Sequence, residues 1–160
     1  MDNKPVLYIM VGVPGSGKTT YAQNYLANDS TIILSSDDIR KELFGDEAIQ
    51  SDPAKVFDLL YKRMNTYLGK GKNVVVDATN IDKAGRHKTF EKISSECIKK
   101  AVVISVDKEV AIRQNKMRKR RVKPWVIEKY FNKFEMPEKS EGFNEIIVIN
   151  GFDLSTEANK

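Results

Sequence analysis

The amino-acid sequence predicts an α/β fold with a central parallel sheet of five strands flanked by helices. Short β-branched or apolar runs alternate along the chain with patterns of helical period, which is typical of parallel α/β proteins. Each strand-helix unit is about 30 residues long, the usual length of a βαβ crossover. No repeat, low-complexity tract or linker divides the chain, so we expect a single domain over residues 1–160.

The predicted strands are Val6 to Val11, Thr31 to Ser35, Asn73 to Asp77, Ala101 to Val106 and Glu145 to Ile149. Between the second and third strands, apolar residues recur at helical spacing from Phe57 to Leu68. The pair Asp52–Pro53 is suited to begin this helix, and Gly69 is suited to end it. Further helices are predicted over Ala84 to Ile98, over Glu109 to Arg120, and around Val126, Tyr130 and Phe134.

The composition excludes several classes of protein. With 41% hydrophobic and 31% charged residues, the chain is neither a disordered tail nor a membrane protein. Its longest uncharged stretch, from Pro5 to Gly17, is shorter than the ~20 residues that cross a bilayer. The single cysteine, Cys97, excludes an internal disulfide framework and fits a reducing cytosol. Because there is also a single histidine, we expect no zinc site.

A glycine-rich loop follows the first predicted strand and precedes a helical pattern that runs to Leu26. It matches the phosphate-binding pattern G-x-x-x-x-G-K-[ST] with the residues Gly12, Val13, Pro14, Gly15, Ser16, Gly17, Lys18 and Thr19, followed by Thr20. Glycines in such a loop let backbone N–H groups turn toward phosphate oxygens. Lys18 is suited to the β- and γ-phosphates, and the Thr19 hydroxyl is suited to Mg²⁺. The loop predicts a P-loop NTPase that binds ATP or another NTP together with Mg²⁺.

The rest of the sequence narrows the class of P-loop protein. A GTPase is expected to carry N-K-x-D after a late strand, but the nearest string, Asn132 to Glu135, ends in Glu and lies in a helical pattern. A motor protein needs more chain to convert hydrolysis into movement. A kinase needs only a carboxylate that accepts the proton of an attacking hydroxyl, and arginines that offset developing charge. The pattern therefore favours a kinase.

Two acids follow the second predicted strand, in the string Ser36-Asp37-Asp38-Ile39-Arg40. Open α/β sheets bind ligands at this end of their strands. Because Arg40 lies three residues after Asp37, both side chains are expected on one side of a helical turn. We interpret Asp37 as a catalytic carboxylate; the alternative is that Ser36 or Asp37 caps the following helix.

The third predicted strand also ends in an acid, in the string Val76-Asp77-Ala78-Thr79-Asn80. An apolar run that ends in Asp is similar to a Walker B carboxylate, which holds Mg²⁺ through water, and Asp77 is also placed to orient Arg40. The alternative is an ordinary turn at the end of a strand, because Asp and Asn are common turn residues.

A basic segment runs from Arg113 to Lys123. Seven of its eleven residues are basic and none is acidic, and without it the net charge of the chain would fall from +5 to −2. Like charges this dense repel one another along a helix, so an anionic partner would stabilise them. We predict a lid over residues 113–124 that closes arginines over ATP, with a solvated helix face as the alternative.

Aromatic residues follow the basic segment at helical spacing, namely Trp125, Tyr130, Phe131 and Phe134. This spacing predicts that they pack in the core. For Trp125 the alternative is a base-stacking contact, because this residue follows the basic segment and a proline.

These motifs together resemble the phage-type polynucleotide 5′-hydroxyl kinases, over roughly Val6 to Ile149. The resemblance rests on the phosphate loop and on the strings S-D-D-I-R, V-V-V-D-A-T-N, R-Q-N-K-M-R, K-P-W-V-I, F-E-M-P and E-G-F. It implies an adenylate-kinase-like fold with the strand order 2-3-1-4-5, and a cytoplasmic protein of a phage or its bacterial host. The chain lacks the D-x-D-G-T signature of the phosphatase domain that several relatives carry, so we expect no phosphatase domain.

The resemblance also implies roles for individual residues. Asp37 matches the general base that activates the 5′-hydroxyl, and Arg40 matches an arginine that contacts an acceptor phosphate. Asp77 matches an acid that helps hold this arginine, and the acceptor site is expected to include Thr79 and Asn80 as well. Where many relatives carry an arginine before the acid pair, this chain has Ser36.

Arg118 matches the lid arginine over the donor phosphates, although Arg113, Arg120 and Arg121 are alternatives for this role. With Lys18, Asp37 and Arg40, Arg118 completes the expected catalytic set, and Thr19 is the expected metal ligand.

The leading hypothesis is transfer of the ATP γ-phosphate to the 5′-hydroxyl end of DNA or RNA. A second hypothesis keeps this chemistry but changes the acceptor to a nucleoside, a nucleotide, a sugar nucleotide or another metabolite. The third is a non-catalytic ATP-binding module. Under the leading hypothesis the partner is a 5′-hydroxyl nucleic acid end, and no membrane partner is expected. The sequence contains no recognisable heptad repeat or exposed apolar seam, so it does not determine whether the protein forms homo-oligomers.

Overall fold

The computed structural model describes residues 3–46, 52–118 and 121–154. Its strands are β1 (Val6–Val11), β2 (Thr31–Ser35), β3 (Asn73–Asp77), β4 (Ile98–Ser105) and β5 (Glu145–Asn150). Its helices are α1 (Lys18–Tyr21), which continues as a π-helical turn (Ala22–Leu26), α2 (Ser36–Phe44), α3 (Pro53–Gly69), α4 (Lys83–Glu91), α5 (Lys108–Asn115) and α6 (Pro124–Lys133). A 3₁₀ turn (Lys139–Glu141) precedes β5.

The five strands form one parallel sheet with the order β2-β3-β1-β4-β5. This confirms both the predicted parallel five-stranded sheet and the order that the family resemblance implies. In the register of β2 and β3, Ser35 lies opposite Asp77, so these strands end side by side. The phosphate loop leaves β1 at the same edge, next to β3.

Both faces of the sheet are buried because each strand alternates its apolar side chains between two core clusters. Leu7 and Ile9 of β1 pack with α3 on one face, whereas Met10 packs on the other face with the π-helical turn and Phe152. Cys97 belongs to the α3 face of this core, where burial raises the pKa of its thiol. A buried thiol with a raised pKa behaves as an apolar core group and is a weak nucleophile.

Helix α3 begins and ends where the sequence predicts. The Asp52 side chain accepts a hydrogen bond from the Lys55 N–H, Pro53 occupies the first helical turn, and the helix ends at Gly69. The apolar residues Val56, Leu60, Met64 and Leu68 form its buried face.

Helix α4 is shorter than predicted, because it ends at Glu91 and not at Ile98. The amide of Asn65 on α3 donates to the carbonyl of Lys92, 2.8 Å, and accepts from the N–H of Ser94, 3.0 Å. These bonds satisfy the end of α4 from outside the helix. Ile98 instead pairs with Val6 and begins β4, three residues before the predicted start of that strand.

Helix α5 is also shorter than predicted. It ends at Asn115, and the turn that follows is described as far as Arg118; Lys119 and Arg120, which the predicted helix and lid include, lie outside the described residues. The Asn115 side chain donates to the Val122 carbonyl, 2.6 Å, and accepts from its N–H, 3.1 Å. The helix therefore ends within the basic segment, and its predicted continuation through residues 116–118 is wrong.

Within the described ranges, the helices lack the length and apolar character that a bilayer-crossing helix requires.

Candidate active site

The phosphate loop takes the conformation that its glycines permit. Gly15 and Gly17 have positive φ angles, 83° and 99°, which other residues rarely adopt. A side chain at Gly15 would collide with the Ala111 carbonyl of α5, and one at Gly17 would lie 2.9 Å from the Phe152 ring. The loop is thus held between β1, α5 and the segment that follows β5.

Two polar side chains of the loop are arranged for an anion. The Ser16 hydroxyl is buried and has no hydrogen-bond partner among the described residues. The Lys18 ammonium donates to the carbonyl of Val13, 3.0 Å, so it folds back over the loop. A buried hydroxyl beside a lysine and inward-turned backbone fits the phosphates of a nucleotide, which would supply the missing acceptor oxygens.

Thr19 and Asp77 meet at the mouth of the loop. The Thr19 hydroxyl donates to the Asp77 carboxylate, 2.6 Å, and Asp77 is 4% exposed. Burial raises the pKa of Asp77, against the opposing effects of the Lys18 charge and the Thr19 hydrogen bond. A buried carboxylate beside a threonine hydroxyl is the donor set that Mg²⁺ prefers. This geometry favours metal binding among the alternatives for Asp77.

Asp37 does not cap α2, because the N-cap residue of this helix is Ser35. The Ser35 hydroxyl accepts from the Asp38 N–H, 3.3 Å, so neither Ser36 nor Asp37 is the cap that the alternative interpretation required. Asp37 lies in the first turn of α2, where one carboxylate oxygen accepts from Arg40, 2.8 Å. Arg40 is only 6% exposed, and its burial fixes the position of the Asp37–Arg40 pair.

The basic segment reaches the same carboxylate from the other side. Arg118 donates to the second oxygen of Asp37, 3.3 Å, across 81 residues of sequence. The other described arginines of the segment are bound elsewhere: Arg113 pairs with Asp153, 2.8 Å, and Arg121 donates to the Arg118 carbonyl, 3.1 Å. Arg118 is therefore the described lid arginine that meets the acid, and the Asp37 carboxylate lies between two guanidinium groups.

Thr79 and Asn80 join the third strand to the phosphate loop. The Gly12 N–H donates to the Thr79 carbonyl, 3.1 Å, and the Asn80 amide donates to the Met10 carbonyl, 2.8 Å. Asn80 has a φ angle of 47°, a left-handed conformation that asparagine tolerates better than most residues. The predicted acceptor residues are therefore hydrogen-bonded to the end of β1 and to the first residue of the phosphate loop.

A cleft of about 710 Å³ opens beside these residues. Its walls come from α3, from the loop between β3 and α4, and from α6. The loop contributes Thr79 and Asn80, and α6 contributes Trp125, Lys129 and Lys133. Two further lysines, Lys88 on α4 and Lys92 at its C-cap, also line the cleft. The volume is typical of a site for a small ligand or a nucleotide-sized portion of a larger one.

Trp125 corrects a sequence prediction. The helical spacing predicted core packing, but the Trp125 side chain is 60% exposed and lines the cleft. Tyr130, Phe131 and Phe134, with the same spacing, do pack against the core around Ile127. Trp125 follows Pro124 in the first turn of α6, on the side that faces away from that core.

The sequence analysis assigned no role to two polar residues that are buried beside the site. Gln114 is fully buried, donates to the Gly15 carbonyl, 2.7 Å, and accepts from the Leu154 N–H, 2.7 Å. Arg86 is also fully buried and forms an ion pair with Glu141, 2.8 Å. Nothing local distinguishes either residue from an exposed one, because each is buried by partners that are distant in sequence.

The parallel sheet, the phosphate loop and the acids at the strand ends define a P-loop domain with the fold of the P-loop kinases. The chain belongs to the AAA domain family, which it matches over residues 7–137. No curated protein sequence matches the chain.

Several solved structures are similar to the chain. A chain of the Pnkp1/Rnl/Hen1 complex shares 25% identity at a TM-score of 0.64, over 71% of this chain and 40% of that one. A gluconokinase from Sinorhizobium meliloti 1021 shares 17% identity at a TM-score of 0.62, over 96% and 87% of the two chains. Kti12 from Chaetomium thermophilum, in complex with ADP-AlF3, shares 15% identity at a TM-score of 0.68, over 96% and 93%. The chain thus spans less than half the length of the first of these, and with the other two it shares the fold.

Proposed function

We propose that this protein transfers the γ-phosphate of ATP, or of another NTP, to the 5′-hydroxyl end of DNA or RNA. The observation that carries this proposal is the position of the Asp37 carboxylate, at the end of β2 between Arg40 and Arg118. A carboxylate at the ligand-binding edge of the sheet, beside a phosphate loop, suits the base of a phosphoryl transfer.

The phosphate loop supports the donor half of the reaction. Lys18 and the backbone of the loop would hold the β- and γ-phosphates, and the buried Ser16 hydroxyl would face the same phosphates. Thr19 and Asp77 would hold Mg²⁺. When bound, Mg²⁺ would offset the negative charge on the β- and γ-phosphate oxygens.

Asp37 is proposed to accept the proton of the 5′-hydroxyl as its oxygen attacks the γ-phosphorus. The new O–P bond forms while the bond between the γ-phosphorus and the β–γ bridging oxygen breaks, and ADP leaves with the electron pair. Arg40 would hold Asp37 in position and face the acceptor phosphate. Arg118 would contribute positive charge over the transferred group.

The composition of the cleft supports a nucleic acid acceptor. An exposed indole at Trp125 suits stacking on a base. The four lysines that line the cleft suit the phosphates of a strand, namely Lys88, Lys92, Lys129 and Lys133.

A small acceptor is the second candidate function. The cleft volume of about 710 Å³ would hold a nucleoside, a nucleotide or a sugar derivative, and the gluconokinase has the same fold. The phosphoryl chemistry at Asp37 would be the same in both cases, so the acceptor itself must be tested.

The deciding experiment compares a 5′-hydroxyl oligonucleotide with the matching mononucleoside as acceptors, using γ-labelled ATP at two salt concentrations. The proposal expects a lower KM for the oligonucleotide, which rises with salt with a slope of about 0.7 in log–log form for each phosphate contacted. A 5′-phosphorylated oligonucleotide of the same sequence is the control and should accept no label. Equal use of both acceptors with no salt dependence would favour the small acceptor, and hydrolysis without any labelled acceptor would favour a non-catalytic module.

A further inference from the structure

Arg86 is a fully buried arginine that has no part in the proposed chemistry. It lies on α4, behind the loop that lines the acceptor cleft, and Gly85 beside it contributes to the lining of that cleft. A guanidinium group without water must make all of its hydrogen bonds to the protein. The partners of Arg86 therefore indicate its role.

The guanidinium of Arg86 joins two walls of the cleft. One terminal nitrogen donates to the carbonyl of Asn80, 2.8 Å, in the loop between β3 and α4. The other donates to the carbonyl of Glu135, 2.9 Å, just beyond the end of α6. Asn80 itself lines the cleft, and Glu135 lies two residues after the last residue of α6, the helix that carries Trp125.

Glu141 holds the guanidinium in this orientation. Its two carboxylate oxygens accept from the Nε and from a terminal nitrogen of Arg86, at 2.8 and 3.2 Å. One of these oxygens also accepts from the Glu138 N–H, 2.8 Å, so the carboxylate is fixed in turn by the 3₁₀ segment. A planar group held on one edge presents its other N–H bonds in fixed directions.

Two further hydrogen bonds join Glu135 to the chain between β3 and α4. The Glu135 N–H donates to the Ile81 carbonyl, 2.9 Å, and the Glu135 side chain accepts from the Lys83 N–H, 3.2 Å. Neither of these links reaches Asn80, whose left-handed backbone is fixed by its own amide and by Arg86.

We infer that Arg86 is a positioning residue for the acceptor: it fixes the separation between the Asn80 loop and α6, and so the width of the cleft. This inference rests on the proposed function for the identity of the acceptor, but the effect on cleft width does not. Displacement of a substrate by about 1 Å can lower the rate of an enzyme on the order of 100-fold, so the width of the cleft affects reaction as well as binding.

The first test is the Arg86→Lys variant, which keeps the buried charge. A lysine ammonium has three donors on one atom and cannot span Glu141, Asn80 and Glu135 together. We expect the acceptor KM to rise about tenfold, while the Kd for ATP stays within about twofold of the wild-type value. Arg63→Lys is the matched control, because Arg63 forms an ion pair with Glu42, 2.7 Å, away from the cleft.

A second pair of variants separates positioning from general stability. Arg86→Met combined with Glu141→Leu replaces the buried ion pair by apolar groups, a change that proteins often tolerate. This double variant should fold and show the raised acceptor KM. Glu141→Gln should lower the melting temperature but keep the acceptor KM, because the guanidinium still reaches both carbonyls.

Fluorescence gives a readout that needs no activity. Trp125 is the single tryptophan of the chain and lines the cleft, so its quenching by acrylamide reports on the opening of that wall. We expect stronger quenching in Arg86→Lys and in the double variant, and wild-type quenching in Glu141→Gln and Arg63→Lys.

Folded Arg86 variants with wild-type acceptor KM and wild-type quenching would overturn the inference. An equal loss of ATP affinity would overturn it too, because Arg86 would then support the whole fold. If the wild-type protein phosphorylates no acceptor, the proposed function fails, and the quenching of Trp125 alone decides for or against the role of Arg86.

Discussion

The phosphate loop and the cleft proposed for the acceptor lie side by side, yet the chain builds them in different ways. The loop is a run of consecutive residues, and its binding groups are largely backbone N–H groups whose direction is set by glycines. The cleft is assembled from side chains on α3, α4 and α6 and held together by a buried arginine. A local motif can be read from the sequence, whereas a surface assembled from distant segments must be seen in three dimensions.

Asp37 lies in the first turn of α2 between Arg40 and Arg118, and its removal should have the largest effect. Asp37→Asn removes the proposed proton acceptor, and base catalysis is typically worth about 10²–10⁴-fold in kcat. ATP binding should persist because the phosphate loop is intact. Steady-state kinetics and ATP titration measure the two effects separately.

The matched control for this variant is Asp38→Asn, at the neighbouring exposed position of α2. It should keep kcat close to the wild-type value. If Asp37→Asn retains more than about a tenth of wild-type kcat, Asp37 does not act as the base.

Within the phosphate loop, Lys18→Ala should have the next largest effect. Loss of one positioned charge on the transferred phosphate costs on the order of 10²–10³-fold in rate. Steady-state kinetics measures this loss, and thermal unfolding checks that the variant is folded. Lys4→Ala, at an exposed ion pair with Glu96, is the control; a rate loss no greater than that control would remove Lys18 from the site.

Within the cleft, Trp125→Ala should reduce acceptor affinity and leave ATP affinity unchanged. Stacking of one base on an aromatic side chain is worth about 1–3 kcal/mol. Trp125→Phe should restore part of the loss, because the aromatic face remains. A loss of ATP affinity in Trp125→Ala would contradict the separation of the two regions.

An exposed apolar residue elsewhere provides the comparison for this variant. Val148 on β5 is 41% exposed, and Val148→Ala should alter neither affinity. Equal effects of the two alanine variants would mean that Trp125 makes no specific contact with the acceptor.

The smallest expected effect is on stability, at Asp77. Because burial raises the pKa of this carboxyl, the folded state holds its proton more tightly than the unfolded state. The contribution of Asp77 to stability is therefore greatest at low pH and is lost as the pH rises through its raised pKa. Asp77→Asn should then raise the melting temperature of the nucleotide-free protein at pH 7, and less so near pH 4.

Thermal unfolding at the two pH values measures this difference, and a kinase assay on the same variant should show reduced activity. A lower melting temperature for Asp77→Asn at pH 7 would indicate that the Lys18 charge and the Thr19 hydrogen bond outweigh the cost of burial.

Two helix ends show why pattern alone misplaced some elements. The sequences from Ala84 to Ile98 and from Glu109 to Arg120 both have residues compatible with longer helices. The side chains of Asn65 and Asn115 bind backbone groups beyond the ends of α4 and α5, and such bonds outweigh the weak intrinsic preference of each residue. The backbone groups that these two amides bind could not be predicted from the sequence, because the fold brings them together.

The sequence by itself determined where the strands lie, the phosphate loop and the pair Asp37 and Arg40, because each depends on residues close together in the chain. Only the tertiary structure decided that Arg118 meets Asp37, that Trp125 lines a cleft, and that Gln114 and Arg86 are buried. The physical reason is distance along the chain. A pattern records the spacing of neighbours on one helix or strand, whereas burial and charge pairing depend on segments that meet only after the sheet has formed.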